Sequence, residues 1–340
     1  MADTLKIVIP MACWGTRMRP HTWSKPKPLI SVAGRTSLDH LLDMFKTLPV
    51  SLNAEYVFIV GPHLGEKQIP AYIAEHYPRL TAHFVLQTEM KGQSHALWLA
   101  REFLNGPVLV VYSDTLIETD FAFLSNEKSD GVAWVKPVSD PRRFGVAEVD
   151  DSGRVTRLVE KPSTIDNNLA LVGCYYFNKG AGLVSAIEEQ MQRGVQLKGE
   201  YFLVDAINIL LERGASIRTE KVDIWLDTGT IDATLETNAY LLQRVDVHTV
   251  NIPGLKVIPP VFIHPGSDIS NSVIGPNVSI GSGCRIMNCK IDDSILETGV
   301  QASDVYLNHS MIGNRAVIQG RGMNDQPVTL NIGDNSSVRL

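Results

Sequence analysis

Residues 15–29 read GTRMRPHTWSKPKPL and place Arg17, Arg19, Lys25 and Lys27 in one loop, directly after the apolar run Leu5-Lys6-Ile7-Val8-Ile9-Pro10. Four cations this close together in a chain of formal net charge -6 call for a local anion. A strand opening into a loop with a glycine and a threonine supplies what a bound polyanion needs: close backbone approach, N–H donors and fixed positive charge. A second candidate position follows the buried-strand pattern of Val108 to Tyr112, where Ser113 and Asp114 fall at a strand's carboxyl end.

The intervening sequence predicts the scaffold. Thr36-Ser37-Leu38-Asp39 has capping-box form, and Leu38, Leu41, Leu42 and Phe45 recur at i, i+3, i+4 and i+7, so a helix follows the loop. Strands are expected at 56–60, 83–86 and 108–112, alternating with helices at 66–76 and 93–103. This is an α/β pattern with a mixed, mainly parallel Rossmann-like sheet, in which ligand sites gather at strand carboxyl ends. Residues 144–162, FGVAEVDDSGRVTRLVEKP, read as an inserted β hairpin turning at Asp150-Asp151-Ser152-Gly153 and able to wall a cleft. Helices are expected at 182–192, 203–213 with Gly214 as stop signal, and 231–244.

From about Pro259 the texture changes. Branched apolar residues return at Ile263, Ile269, Ile274, Ile280 and Ile286, and the runs 274–281 and 312–318 resemble left-handed parallel β-helix repeats, with a further step at 332–338 after an irregular insert at 321–328. The expected organisation is a catalytic domain over 1–244, a linker over 245–258 and a β-helix over 259–340, the last assigned to homo-oligomerisation. With 44% hydrophobic and 20% charged residues, the composition is that of an ordinary globular protein. The sequence predicts no membrane span, and its acidic balance argues against nucleic acid as partner. The amino terminus lacks the pattern of a secretory leader, so a cytoplasmic location is expected. Cys13, Cys174, Cys284 and Cys289 have neither CxxC spacing nor a disulfide framework.

The order G-T-R-M-R-P-x-T-x-x-x-P-K-P-L resembles the signature of sugar-1-phosphate nucleotidylyltransferases, which join a nucleoside triphosphate to a sugar 1-phosphate and release pyrophosphate; with its tail the chain is most similar to glucose-1-phosphate thymidylyltransferases that carry a β-helix. The resemblance implies that Ala12, Cys13, Trp14, Gly15 and Thr16 line the nucleotide, that Arg17 contacts the triphosphate and leaving pyrophosphate, and that Lys27 contacts the α-phosphate or incoming phosphate. Gln87 and Gly92, in LQTEMKGQSHAL, match the segment reading the nucleobase; an amide pairs with a pyrimidine edge, favouring thymidine or uridine nucleotides. Glu160 and Lys161 match the E-K-P motif that holds sugar hydroxyls and the sugar phosphate, and Gly145, Val172 and Gly173 match positions lining the sugar pocket. Glu200 is either a further sugar contact or the cap of the next helix. Asp114 and Asp227, the latter in WLDTGT, match the family's two metal aspartates, and carboxylate oxygens combined with phosphate oxygens and water suit Mg²⁺ as cofactor.

Two departures touch the nucleotide. The family's G-x-G-T-R reads Cys13-Trp14-Gly15-Thr16-Arg17 here, and a Cβ at Cys13 costs on the order of 1–2 kcal/mol if the backbone there is left-handed. Trp14 either stacks on a base, plugs the pocket or is a partly buried aromatic beside the first strand. These departures leave open a catalytically impaired, sugar-nucleotide-sensing homologue. A third reading gives the β-helix acyltransferase activity with His309 as general base, against a plain coil-corner residue.

Overall fold

The computed structural model describes residues 4–244, 254–322 and 326–340; most of the expected linker and part of the expected insert lie outside the described residues. The chain divides into two units, Met1–Cys13 with Leu41–Trp225, and Trp14–His40 with Leu226–Leu340. The grouping differs from a cut at the linker: the cationic loop and the helix ahead of the linker belong with the β-helix.

The first unit is built on a nine-stranded mixed sheet. Its strands are β1 (Lys6–Met11), β2 (Glu55–Val60), β3 (Ala82–Leu86), β4 (Val108–Val111), β5 (Gly131–Pro137), β6 (Gly145–Val149), β7 (Val155–Glu160), β8 (Leu169–Phe177) and β9 (Ile217–Lys221). The path runs β7-β6-β8-β4-β1-β2-β3, with β5 pairing both β8 and β9. Strands β3, β2, β1 and β4 are mutually parallel. Val108, Leu109, Val110 and Val111 are all buried, as a strand covered on both faces requires. Against β4 lies β8, antiparallel, and β6 and β7 form the expected hairpin, also antiparallel. Helices α2 (Leu64–His76), α3 (Gln93–Leu99), α4 (Gly180–Arg193) and α5 (Leu203–Glu212) complete the unit. Helix α3 is shorter than its apolar spacing predicts, giving way to a 3-10 turn over Arg101–Phe103. Gly214 follows α5 with φ +85°, the left-handed stop its position predicts. One core joins sheet and helices, including Val8, Ile59, Val110, Ala147, Leu183 and Ile207.

In the second unit, a three-faced coil of short parallel strands begins at Leu255–Val257, ahead of the expected Pro259. The aliphatic side chains stack in columns through the coils: Ile269 on Ile286, Ala302 and Ile318; Ile274 on Ile291 and Leu307; Ile280 on Leu296 and Ile312. Corner residues are left-handed, and asparagines tie successive corners: Asn277 Nδ2 donates to Asp293 Oδ1 at 2.6 Å and Asn288 Nδ2 to Asp304 Oδ1 at 3.0 Å. His309 is such a corner, φ +49°, with Nε2 3.0 Å from Asp232 Oδ1.

Helix α6 (Ile231–Leu242) and the cationic loop complete this unit. Met18 and Ile30 from the loop, Leu235 from α6, and Ile295 and Met311 from the β-helix form a separate apolar cluster. Asn238, fully buried, knots the same parts: its Oδ1 accepts from Ala33 N at 2.8 Å and Ser279 Oγ at 2.6 Å, while Nδ2 donates to the Asn277 carbonyl. Helix α1 (Ser37–Asp43) opens with the predicted capping box, Thr36 N to Asp39 Oδ2 at 2.9 Å and Asp39 N to Thr36 Oγ1 at 3.1 Å.

Ile280 sits wholly buried between coils on both sides. Ile280→Ala is expected to destabilise the protein by roughly 2–5 kcal/mol, read as a lowered urea midpoint at unchanged slope.

Candidate active site

The expected site residues are shared between the units. Ala12, Cys13, Gln87, Gly92, Asp114, Gly145, Glu160, Lys161, Val172, Gly173 and Glu200 belong to the first; Trp14, Gly15, Thr16, Arg17, Lys27 and Asp227 belong to the second.

In the second unit, the loop folds as three successive 3-10 turns, Thr16–Met18, His21–Trp23 and Lys27–Leu29. Its left-handed residue is Gly15, φ +59°, and a Cβ there meets Thr22 Cγ2 at 2.8 Å and Lys27 Cβ at 3.4 Å. Thr22 Oγ1 donates to the Gly15 carbonyl at 2.9 Å, which closes the loop on itself. The backbone at Cys13 is not left-handed, so the strain anticipated for a residue other than glycine does not arise. Trp14 keeps 51% of its surface exposed.

The four cations separate by environment. Arg17 and Arg19 are exposed, whereas Lys25 and Lys27 are buried. Lys25 has an internal anion: its Nζ lies 3.0 Å from Oε2 of Glu297, itself buried in the β-helix. Glu297 also accepts from Ser31 N and Ser31 Oγ, both at 3.1 Å. Nearby, His21 Nε2 contacts Asn331 Oδ1 at 2.7 Å and Ser24 Oγ donates to Asp334 Oδ2 at 2.8 Å. Burial lowers the His21 pKa, so a neutral ring is favoured. Sequence reading missed Glu297 because 266 residues separate it from Ser31.

In the first unit, Gln87 follows β3 with its backbone N–H on the Val60 carbonyl at 2.9 Å. Its side chain is buried rather than a surface amide, with Nε2 3.3 Å from the Gly92 carbonyl and 3.3 Å from His95 Nδ1. Gly92, φ +93°, has a specific local requirement: a Cβ there strikes the Tyr201 carbonyl at 2.5 Å and Tyr201 N at 2.7 Å. Tyr201 N donates to the Lys91 carbonyl at 2.8 Å and Ser94 N to the Tyr201 carbonyl at 3.1 Å, clasping this segment to the chain ahead of α5. Glu200 is exposed and pairs through its backbone with Leu197; α5 has Phe202 at its N-cap with no side-chain cap bond, so Glu200 does not cap it.

The hairpin and β8 bring a second group together. Gly145 and Glu160 face each other across β6 and β7, and a Cβ on Gly145 meets Glu160 Oε2 and Leu171 Cδ1, both at 3.0 Å. Glu160 Oε1 is 3.6 Å from Lys161 Nζ. Lys161 sits at φ +47°, costly for a non-glycine residue preceding proline, and its ammonium lies 4.9 Å from the Phe202 ring centroid. Burial raises the Glu160 pKa above the usual carboxylate range; Lys161 opposes that shift, and Asp205 and Glu200 add to it. Val172 and Gly173 lie in the middle of β8, buried. The Val172 carbonyl accepts from Thr115 Oγ1 at 2.7 Å, and Gly173, φ +82°, leaves room for Tyr112, whose Cδ2 a Cβ would meet at 2.7 Å.

Asp114 lies in the turn after β4, half-buried, flanked by buried Ser113 and Thr115. Asp227 ends the strand Trp225–Asp227; its Oδ1 accepts from Gly229 N at 2.6 Å and its carbonyl accepts from Thr237 Oγ1 at 2.8 Å. Among the described residues no group of three or more His, Cys, Asp or Glu side chains forms a protein cage for a metal. Hard carboxylate oxygens in small number fit Mg²⁺, which keeps part of its water and takes the rest of its ligands from substrate phosphates.

Residues 8–244 match the nucleotidyl transferase family, and the chain belongs to it: it is a nucleotidyltransferase. It is 30% identical to a glucose-1-phosphate thymidylyltransferase of Streptomyces antibioticus over 96% of this chain and 97% of that protein, and 26% identical to one of Streptomyces griseus over the same shares. A solved UDP-glucose pyrophosphorylase complexed with UDP-glucose shares the fold, with TM-score 0.61 and 19% identity over 72% of this chain and 100% of that one. No helix among the described residues is long and apolar enough to cross a membrane.

Two outcomes follow. Glu297→Ala strands the buried Lys25 ammonium and is expected to cost about 3–5 kcal/mol, with part of it regained in Lys25→Met/Glu297→Leu, because two apolar groups leave no unpaired charge while Ser31 still lacks its acceptor; chemical unfolding of the three proteins checks this. Because its folded pKa is raised, Glu160 adds stability that is fully present below the ordinary carboxylate range and lost as pH rises through the folded value. Glu160→Gln is expected to remove that loss, measured as a flatter unfolding free energy as pH rises upward from the ordinary carboxylate range.

Proposed function

We propose that the protein transfers a nucleotidyl group from dTTP or UTP to glucose 1-phosphate or a close hexose 1-phosphate, giving a nucleoside-diphosphate sugar and pyrophosphate. The observation that carries this reading is likeness along nearly the whole chain to glucose-1-phosphate thymidylyltransferases, together with a signature loop folded around Gly15 and closed by Thr22.

A sugar-phosphate oxygen attacks the α-phosphorus, a new P–O bond forms, and the bond to the β-phosphate oxygen breaks with its electron pair leaving on pyrophosphate. Both reactants are anions, so the barrier is set by charge repulsion and alignment. In this reading Arg17 carries the charge of the departing pyrophosphate and Lys27 that of the reacting phosphates; Ala12, Cys13, Trp14 and Thr16 border the nucleotide. Gln87 and the Gly92 backbone hold the base. Glu160, Gly145, Val172, Gly173 and Glu200 shape the sugar side, and Lys161 faces the sugar phosphate. Asp114 and Asp227 hold Mg²⁺, which when bound supplies charge neutralisation at the phosphates. Support for the two aspartates is their oxygen chemistry, the position of Asp114 at a parallel strand's carboxyl end and the tethering of Asp227 by Gly229. Association of copies through the β-helix belongs to the same reading, supported by half-exposed Met287 on a flat parallel face.

Magnesium-dependent pyrophosphate release is expected from dTTP or UTP with glucose 1-phosphate. Asp114→Asn and Asp227→Asn are each expected to lower kcat/KM by about 100-fold or more with unfolding midpoints preserved. Nucleotide binding without turnover across all pairs would instead establish a sensing homologue.

A further inference from the structure

Gln87 owes its usefulness as a base reader to which end of its amide faces outward, and its surroundings decide that. The Gly92 carbonyl, 3.3 Å away, can only accept, so the amide nitrogen must face it. The same nitrogen lies 3.3 Å from His95 Nδ1. An NH₂ group has no acceptor capacity, so Nδ1 must be the bare, accepting nitrogen and the ring must carry its proton on Nε2. The two hydrogens of Gln87 Nε2 are then committed to Gly92 and His95, and the Gln87 carbonyl oxygen is the part of the amide left for a ligand.

We propose that His95 is the positioning residue that sets nucleobase specificity, holding Gln87 so that its carbonyl accepts from a ring N–H and rejects a base whose ring nitrogen is bare. The proposal rests on the nucleotidyl-transfer reading above and deepens it. Thymine and uracil present N3–H; cytosine presents an N3 lone pair, which meets the Gln87 oxygen as acceptor against acceptor. One mismatch of this kind distinguishes bases more strongly than any difference in size, because a buried polar group is left unpaired.

The arrangement is also pH-dependent. Protonated on both nitrogens, His95 becomes a donor at Nδ1 and turns from partner to competitor of the Gln87 NH₂. The hold of His95 on the amide is then lost, and the Gly92 carbonyl alone keeps the nitrogen turned inward. Burial favours the neutral ring, and so does Lys91; Glu89, paired to Lys91, opposes them. Glu89 also opposes them through a backbone bond to the ring, and the Trp98 ring, uncharged, stacks on it at 6.3 Å. Helix α3 carries His95 on its first turn, so the imidazole is presented from a rigid element while Gln87 is held directly after a parallel strand.

The test is the ratio of kcat/KM for dTTP over dCTP with glucose 1-phosphate, measured from pH 8 down to pH 5.5 for the wild type, His95→Ala and His95→Asn. Both nucleotides carry the same triphosphate, so its titration cancels in the ratio. The wild type is expected to favour dTTP strongly at high pH and to lose about tenfold of that preference as the imidazole protonates, near an ordinary histidine range or below. His95→Ala is expected to start about tenfold less selective and to show no pH dependence in the ratio. His95→Asn, whose Oδ1 can only accept, is expected to recover part of the preference and hold it across the range. A wild-type ratio independent of pH and matched by His95→Ala overturns the proposal, as does an alanine variant that loses the same factor for both nucleotides. Equilibrium binding of dTTP and dCTP to the same three proteins without sugar separates the two levels: absent turnover with an intact binding preference would sink the transfer reading and leave the role of His95 standing.

Discussion

A carboxylate buried in the β-helix anchors the cationic loop. Glu297 offers two oxygens to Lys25 and to both donors of Ser31, one partner on each side of Lys27 in sequence. A buried carboxylate costs several kcal/mol unless its lone pairs are filled, and here the loop fills them. The dependence runs both ways: the buried Lys25 ammonium is tolerated because Glu297 is there. A cation that reads in the sequence as part of a phosphate site is therefore a structural one.

This alters what the β-helix is for. Repetition alone suggests a scaffold for association, whereas what the stacked columns from Ile269 to Ile318 show is a prism within one chain. Yet its coils also contribute Ile295, Glu297, Met311, Asn331 and Asp334 to the seat of the cationic loop, and Asn238 of α6 bonds to both loop and coil. A segment of many short 3-10 turns, with little regular hydrogen bonding of its own, gains its fixed shape from side chains on a rigid neighbour. Preorganised charge is worth more than mobile charge in phosphoryl chemistry, since no reorganisation is needed when the transition state forms.

The features legible in the sequence were those with short-range causes. The alternation of apolar strands and helices, the hairpin at 144–162, the capping box at Thr36 and the hexapeptide columns all come from periodicity or neighbour chemistry, and the structure reproduces them. Features set by contacts distant in sequence were not legible. Nothing near Gly92 announces that Tyr201 passes within a Cβ's reach, and nothing near Lys25 announces Glu297. Nor does composition distinguish a left-handed backbone at residue 15 from one at residue 13; the structure puts it at Gly15, where Thr22 and Lys27 crowd the missing side chain, and leaves Cys13 unconstrained in that respect.

That placement bears on how far the signature can drift. A glycine is indispensable where φ is positive and where a neighbour occupies the space of a Cβ, and Gly15, Gly92 and Gly173 each meet both conditions. Gly145 meets only the second, since what it makes room for is the Glu160 carboxylate itself. Cys13 meets neither, so the loss of a glycine there removes freedom that this backbone does not use. The same logic orders the charged residues. Lys161 keeps a costly left-handed φ beside a carboxylate whose burial favours the neutral form, and both expenses fall on one hairpin end where Phe202 packs over the ammonium. Strain and desolvation thus meet at one hairpin end; in the proposed reading, a ligand that hydrogen-bonds Glu160 and offers negative charge to Lys161 offsets the desolvation.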